Sequence, residues 1–420
     1  MHRNTARSAR LTRAPDGFPA LSRSRDQQFI LGAAVVGCLG TFGMHVLLPA
    51  LPAIGAHFAV NAARTQLLVS LALLAIALGN LTVAPLSDRL GRRPVTLAGL
   101  ALFIAGSFIG LVVPALEWLV VARIVQAFGG GAAMAVVRAT INDRFGPSRA
   151  ATAIAYTAMA ILVVPMLAPT LGGLALEFFG WRSPFALAAL LGLAVGSFAW
   201  LRLTETHAPG GPRPHHARAT FAAYGALVRS PAYVAHVLFG SFMLSSVYVF
   251  ITGAPYVAMQ VLGVRPAQYG LWFMVPAGSS FLGFLVAARL SRRKGQRWMM
   301  GAGAVVAIVG ALILVALIGA GAWAPLALFL PGALVTFANA LSAPNSTTSA
   351  IALRPASAGA ASGLLGFTQL VMAALFAQGV ALLENGTPWP LGGAILLANL
   401  AALAAQLWIR SLAARTVPEV

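Results

Sequence analysis

The chain is 420 residues long, 59% hydrophobic and only 9% charged, where a soluble domain carries about 25% charged residues. Its 28 basic and nine acidic side chains leave a formal charge of +19. So few charges cannot coat a soluble protein of this size, which excludes an ordinary soluble enzyme and a disordered chain and leaves an all-α polytopic membrane protein.

Residues 1–28 form a basic tail with Arg3, Arg7, Arg10, Arg13, Arg23 and Arg25. The apolar run behind it exceeds the roughly 7–15 residues of a cleavable signal core. A retained first span and a cytoplasmic tail near anionic lipid heads are therefore expected. Apolar runs of about 20 residues, enough to cross a bilayer, recur at 29–50, 64–84, 95–113, 118–140, 150–176, 183–201, 233–256, 268–288, 298–319, 325–347, 359–383 and 390–409. Twelve spans put both termini on one side. That side holds 24 basic residues; the other holds only Arg64, Arg182 and Arg265, and Arg123 stays inside a span. The bias marks the basic side as cytoplasmic. It also accounts for the positive charge without a nucleic-acid partner.

The one cysteine, Cys38, sits in the first span and allows no internal disulfide. The connection 203–232 is the longest and most polar, rich in Pro and Gly, and reads as a flexible linker. Its His207, His215 and His216 lack the Cys or carboxylate partners of a metal site. No metal or cofactor is expected. The seven histidines are scattered, and no nucleophile–base set suggests an enzyme. The linker separates a first half, 29–202, from a second, 233–410, with a short tail at 411–420. Gly79-x4-Ala84-x-Leu86-Ser87-x-Arg89-x-Gly91 at the end of the second span recurs as Gly283-x4-Ala288-x-Leu290-Ser291-x-Arg293-x-Gly295 at the end of the eighth. Two parallel six-helix repeats, with a path between them, are expected.

Several segments carry a family resemblance. Ala84-Pro85-Leu86-Ser87-Asp88-Arg89-Leu90-Gly91-Arg92-Arg93-Pro94 resembles the signature between spans two and three of the major facilitator superfamily, with Ala84 where that family usually has Gly. Leu119-x3-Arg123-x2-Gln126-x2-Gly129-Gly130-Gly131 is similar to its fourth-span motif. Pro165-x3-Pro169-x2-Gly172-Gly173 with Gly180-Trp181-Arg182 is similar to the fifth-span motif of its drug:proton antiporters. Leu48-Pro49-Ala50-Leu51-Pro52 and Arg138-Ala139-x3-Asp143 resemble the Bcr/CflA drug-efflux branch.

The resemblance implies a twelve-helix transporter in the cell membrane, which is the inner membrane if the source is Gram-negative. It implies export of lipophilic drug-like molecules in exchange for protons by a monomer embedded in the bilayer. A facilitator or importer of a small metabolite on the same fold is the alternative. Asp88, with Arg89, Arg92, Arg93, Arg138 and Asp143, is expected to latch the halves at the cytoplasmic face. There Asp88 would meet the positive end of the eleventh span near Ala358. Pro165, Pro169, Gly172 and Gly173 suit a gating helix, since proline bends a helix and glycine lets backbones approach. Arg123, a charge inside the membrane, should face the bundle interior with a partner.

The first span departs from the branch. Four residues before Pro49, where an acid is usual, stands His45. It shares a helical stripe with Gly37 and Thr41, and histidine titrates near pH 6.5, so His45 and Arg123 are the expected proton-coupling pair. No acid falls at mid-membrane; the remaining routes for coupling are a peripheral acid such as Glu177 or the substrate's own ionisation. Met44, Gln126, Phe242, Tyr248, Phe250, Tyr256, Trp272, Phe273, Asn339, Asn345 and Gln369 are the candidates to line a mostly apolar pocket.

Overall fold

The computed structural model describes residues 24–206 and 217–415. The basic tail up to Arg23, the linker histidines and residues 416–420 lie outside the described residues. The described residues contain no strand. Among the described residues, twelve helical segments are long and apolar enough to cross a membrane.

The first span is α1 (Ser24–Val46), a short turn at Leu48–Ala50, and α2 (Leu51–His57). Pro49 and Pro52 stand at the starts of these last two pieces, where a missing N–H costs nothing and the preceding helix is broken. The second span, α3 (Ala62–Leu90), opens at Asn61, whose side chain accepts the Arg64 N–H at 3.0 Å, an ordinary N-cap. Gly91, at φ +96°, ends it and leads at once into the third span, α4 (Arg92–Val112). A side chain at Gly91 would also press on the Glu205 carboxylate, 2.7 Å away. Both constraints call for glycine.

Spans four and five lie within one continuous helical stretch, α5 (Leu116–Phe179), so the connection expected at 141–149 is helical. The stretch still folds back on itself. Gly130 meets the first span at Gly40, and Ile161 meets it at Gly37; a straight helix would set these two positions about 45 Å apart at 1.5 Å per residue. The sixth span is α6 (Ser183–Arg202). The linker holds a helix, α7 (Ala217–Val228), so it is not wholly flexible. Leu227 of α7 is buried in a cluster with Tyr233, Ala361 and Leu365 of the second half.

The second half follows as α8 (Pro231–Tyr256), α9 (Pro266–Lys294), α10 (Gln296–Gly319), α11 (Pro325–Ala352), α12 (Ala358–Leu382) and α13 (Trp389–Arg415), spans seven to twelve. Gly295, at φ +82°, joins α9 to α10 as Gly91 joins α3 to α4. Many large apolar side chains stay exposed, among them Leu102, Phe108, Val112 and Leu312; hydrocarbon, not water, suits such a surface.

The largest core cluster belongs to both halves. It joins Met44, Leu47, Leu48 and Leu51 of the first half to Tyr256, Tyr269 and Phe273 of the second. These residues sit at the ends of the spans opposite the charged connections. We call that end the far face and the charged end the basic face. Around Ile30, Val36 and Ile141, and around Met243, Met300 and Ala304, each half has a cluster of its own.

Candidate functional site between the two halves

The far face is closed by the shared apolar cluster and, beside it, by direct backbone contact. A methyl on Gly172 of span five would overlap the Val46 carbonyl of span one, next to His45. A methyl on Gly173 would overlap the Pro266 carbonyl of span eight, and one on Gly270 would overlap Thr170. Neighbouring glycines therefore face different helices, and three spans meet with no side chain between them. Pro169 is buried in the same seam, and its carbonyl is 2.8 Å from where a Gly270 methyl would be. Pro165 lies a turn further in, half-buried.

Polar contacts reinforce the seam. Thr170 Oγ1 donates to the Gly270 carbonyl at 2.9 Å. Glu177 accepts the Ala267 N–H at 3.0 Å and pairs with Arg265 at 3.6 Å. Gln378 Nε2 donates to the Ala63 carbonyl at 2.9 Å, tying span eleven to span two. These bridges all lie at the far face.

At the basic face the ion pairs among the described residues lie within the first half. Arg92 is buried, with 7% of its side chain exposed, and reaches Asp88 at 2.6 Å and Asp143 at 2.8 Å. It also donates to Ser87 Oγ. Bidentate and branching contacts of this kind are what a guanidinium fork provides. Glu205, at the start of the linker, accepts the backbone N–H groups of Arg92 at 2.9 Å and Arg93 at 3.0 Å. A carboxylate thus caps the positive end of α4. Arg93 donates to the Trp200 carbonyl at 3.0 Å and lies over its ring. Arg89 and Arg138 are exposed and join no ion pair among the described residues. Of the expected latch, then, Asp88, Arg92 and Asp143 come together, Arg93 stands beside them, and Asp88 is directed to Arg92 of its own half.

Arg123 is 2% exposed and does have partners. Its guanidinium donates to Gln126 Oε1, to the Gly43 carbonyl at 3.1 Å and to the Leu68 carbonyl at 3.4 Å, and reaches Met44 Sδ at 3.7 Å. Gln126 in turn donates to Ser107 at 2.7 Å. Every acceptor is neutral. His45 is 7% exposed, and its Nδ1 sits 2.8 Å from the Thr41 carbonyl. A carbonyl can only accept, so Nδ1 carries a hydrogen and Nε2 is the nitrogen left to gain or lose a proton.

The lining candidates separate into groups. Met44 and Gln126 belong to the Arg123 cluster. Phe242 meets Phe376 edge-on with centroids 5.9 Å apart, and Gln369 sits against Gly240, so both mark the seam of spans seven and eleven. Trp272 stacks on Phe329, while Phe250 and Phe273 are buried in the same aromatic cluster. Tyr256 is in the far-face core. Asn345 is buried and donates to the Leu341 carbonyl, and Tyr248 and Asn339 are half-buried.

Two features escape sequence reasoning. Glu205 stands in the linker, with no spacing that ties it to α4. The pairing of Glu177 with Arg265 joins residues of opposite halves; the sole hint is that Arg265 is one of three basic residues on its side. Among the described residues no group of three His, Cys, Asp or Glu could hold a metal.

The family model described as Major Facilitator Superfamily matches residues 33–377. The chain is 24% identical over 368 residues to a bicyclomycin resistance protein homolog of Haemophilus influenzae, covering 86% of this chain and 91% of that one. It is 24% identical over 391 residues to multidrug resistance protein D of Escherichia coli, covering 93% and 97%. Its backbone is similar to the crystal structure of a D-xylose–proton symporter, with a TM-score of 0.72 at 17% identity, covering 90% and 97%.

Proposed function

The chain belongs to the Major Facilitator Superfamily, and from that premise we propose that it exports lipophilic drug-like molecules by alternating access, in exchange for protons. The observation that carries the reading is the far-face seam. Gly172 and Gly173 let span five touch spans one and eight through backbone alone, on the segment that resembles the antiporter motif. At these two contacts no side chains interlock, so it is the surrounding apolar cluster of Met44, Leu47, Tyr256 and Tyr269 that must part with them, and Pro165 and Pro169 weaken the helix that must bend. The multidrug names of the relatives support the same reading.

In this proposal the basic face is cytoplasmic and open to substrate, and the far face is sealed. Substrate enters between the halves, and the far-face seam then parts. As the basic face closes, Asp88 turns from Arg92 towards the first turn of α12, whose Gly363 already lies near Leu81 of span two. Proton return runs through Nε2 of His45, beside the Val46–Gly172 contact, so protonation acts where the gate packs. Arg123 holds the neighbouring Met44 and Gln126 by neutral hydrogen bonds. The mostly apolar candidates leave few polar groups to satisfy, which suits a lipophilic cargo.

A second reading, a facilitator or importer of a small metabolite, is favoured by one observation: the described spans hold no carboxylate at mid-membrane. Everted membrane vesicles separate the two. Export predicts that adding substrate to energised vesicles releases lumenal protons, and that a pump-deficient host gains resistance to lipophilic compounds. Proton release absent for every compound, with resistance unchanged, refutes the export reading.

A further inference from the structure

The two halves differ where the internal repeat makes them comparable. In the first, the chain turns at Gly91 (φ +96°), and the N–H groups of Arg92 and Arg93 are held by Glu205. Glu205 is five residues past Trp200, in Trp200-Leu201-Arg202. In the second half the chain turns the same way at Gly295 (φ +82°) into Gln296 and Arg297. The matching triplet is Trp408-Ile409-Arg410, and five residues past Trp408 stands Ala413. Here α13 stays helical to Arg415, whereas α6 ends at Arg202 and sends its carboxylate across.

Beside this turn, where no carboxylate reaches it among the described residues, is a cavity of about 490 Å³, lined by Ala413, Ile409, Gln296, Arg297, His236 and Ser349 among others. The volume suits a small ligand group. Among the described residues its charged wall is basic only, with no Asp or Glu lining it. Ser349 Oγ donates to Gln296 Oε1 at 2.7 Å, which leaves the Gln296 amide hydrogens for another acceptor. The corresponding cavity of the first half, about 440 Å³, is lined by Arg202 and by Arg144, and there Arg144 is already paired with Asp26 at 3.4 Å. Trp298 and Trp408, 49% and 38% exposed, flank the second-half cavity in sequence. Exposed tryptophans at span ends settle at the level of the lipid headgroups.

We infer that this cavity binds the phosphate of an anionic phospholipid of the phosphatidylglycerol class, which gives the second half the negative group that Glu205 gives the first. Arg297 supplies the charge, Gln296 and the start of α10 supply N–H donors, and Ile409 and Leu412 pack the glyceryl portion.

The full chain is reconstituted in phosphatidylcholine vesicles with and without phosphatidylglycerol, and bound lipid is counted by native mass spectrometry alongside thermal unfolding. Wild type should retain phosphatidylglycerol in preference to phosphatidylcholine and be stabilised by it. Arg297→Gln should weaken that retention about fivefold, the effect of one basic residue. Ala413→Glu should weaken it by more and make stability indifferent to phosphatidylglycerol, because the variant carries its own carboxylate. Glu205→Gln should leave the retention unchanged. Arg297 is exposed, so its variant decides the matter even where Ala413→Glu does not fold. No preference for phosphatidylglycerol in wild type, or retention unchanged in Arg297→Gln, overturns the inference. Protection by soluble glycerol phosphate as strong as that by the lipid overturns the lipid source.

Discussion

The two ends of this molecule are held by opposite means. At the far face the halves share the apolar cluster of Met44, Leu47, Leu51, Tyr256, Tyr269 and Phe273, and within it spans one, five and eight touch backbone to backbone at Gly172 and Gly173. At the basic face a dense ionic cluster built on Arg92 ties together spans two, three and four and, through Glu205, the linker. The first arrangement is apolar and backbone contact with, among the described residues, no buried ion pair to break. The second is rigid within one half and lets that half move as a body. Rigid halves and a parting seam are what a rocking mechanism requires.

The largest expected effect is at the seam. Gly172→Leu would drive a side chain into the Val46 carbonyl, and backbone cannot swing aside as a flexible side chain does. Overpacking on this scale costs about 3 kcal/mol or more. Transport in vesicles should be abolished, with the detergent-extracted protein eluting partly aggregated. Gly366→Ala and Gly379→Ala, where nothing lies within 4 Å, should be neutral or slightly stabilising, as alanine is the better helix former. Wild-type transport by Gly172→Leu would mean that the seam does not depend on backbone contact.

Next comes the ionic cluster. Arg92→Ala strips the partner from Asp88 and Asp143, whose side chains are 45% and 25% exposed. Loss of one partner of a fully buried pair costs about 3–5 kcal/mol; the exposed carboxylates lower this to about 2 kcal/mol. Arg92→Lys should recover less than half of the lost thermal stability, because an ammonium cannot fork between Asp88, Asp143 and Ser87. Gln296→Ala, at the repeat-equivalent position, should cost far less. Equal losses at Arg92 and Gln296 would erase the asymmetry between the halves.

The twelve spans were legible because bilayer length is a one-dimensional property of the chain. Pro165-x3-Pro169-x2-Gly172-Gly173 could also be recognised, though not that Gly172 faces span one and Gly173 span eight; that depends on helix rotation. The Arg123 partners were hidden for another reason. Two of them are backbone carbonyls, which have no sequence signature. Glu205 and the pairing of Glu177 with Arg265 depend on chain paths that bring distant segments together. The helix α7 was missed because the Pro- and Gly-rich stretch before it set the tone for the whole linker, although residues 217–228 are themselves rich in helix-forming Ala.

His45 tests whether proton chemistry acts at the seam. With Nδ1 committed to Thr41, only Nε2 is free to exchange a proton. His45→Gln keeps a hydrogen-bonding side chain of similar reach but cannot titrate. Substrate binding should survive, while the dependence of transport on pH between about 5 and 8 should flatten. An unchanged pH profile would move the coupling role elsewhere.

The smallest effect belongs to Glu177. It accepts one N–H of Ala267 and pairs with Arg265, whose side chain is 68% exposed, so screening limits the ion pair to below about 1 kcal/mol. Glu177→Gln keeps an acceptor for the Ala267 N–H and loses only the charge. A bias of that size shifts a two-state equilibrium by no more than about fivefold. Spin labels at Phe179 and Leu271, both exposed near the far ends of spans five and eight, report the change directly. The long-distance population should rise modestly in Glu177→Gln and no further in the double variant with Arg265→Gln, since either change removes the same pair. Additive shifts in the double variant would mean that the two residues act on the seam separately, and that backbone contact at Gly172 and Gly173 is not the main closure.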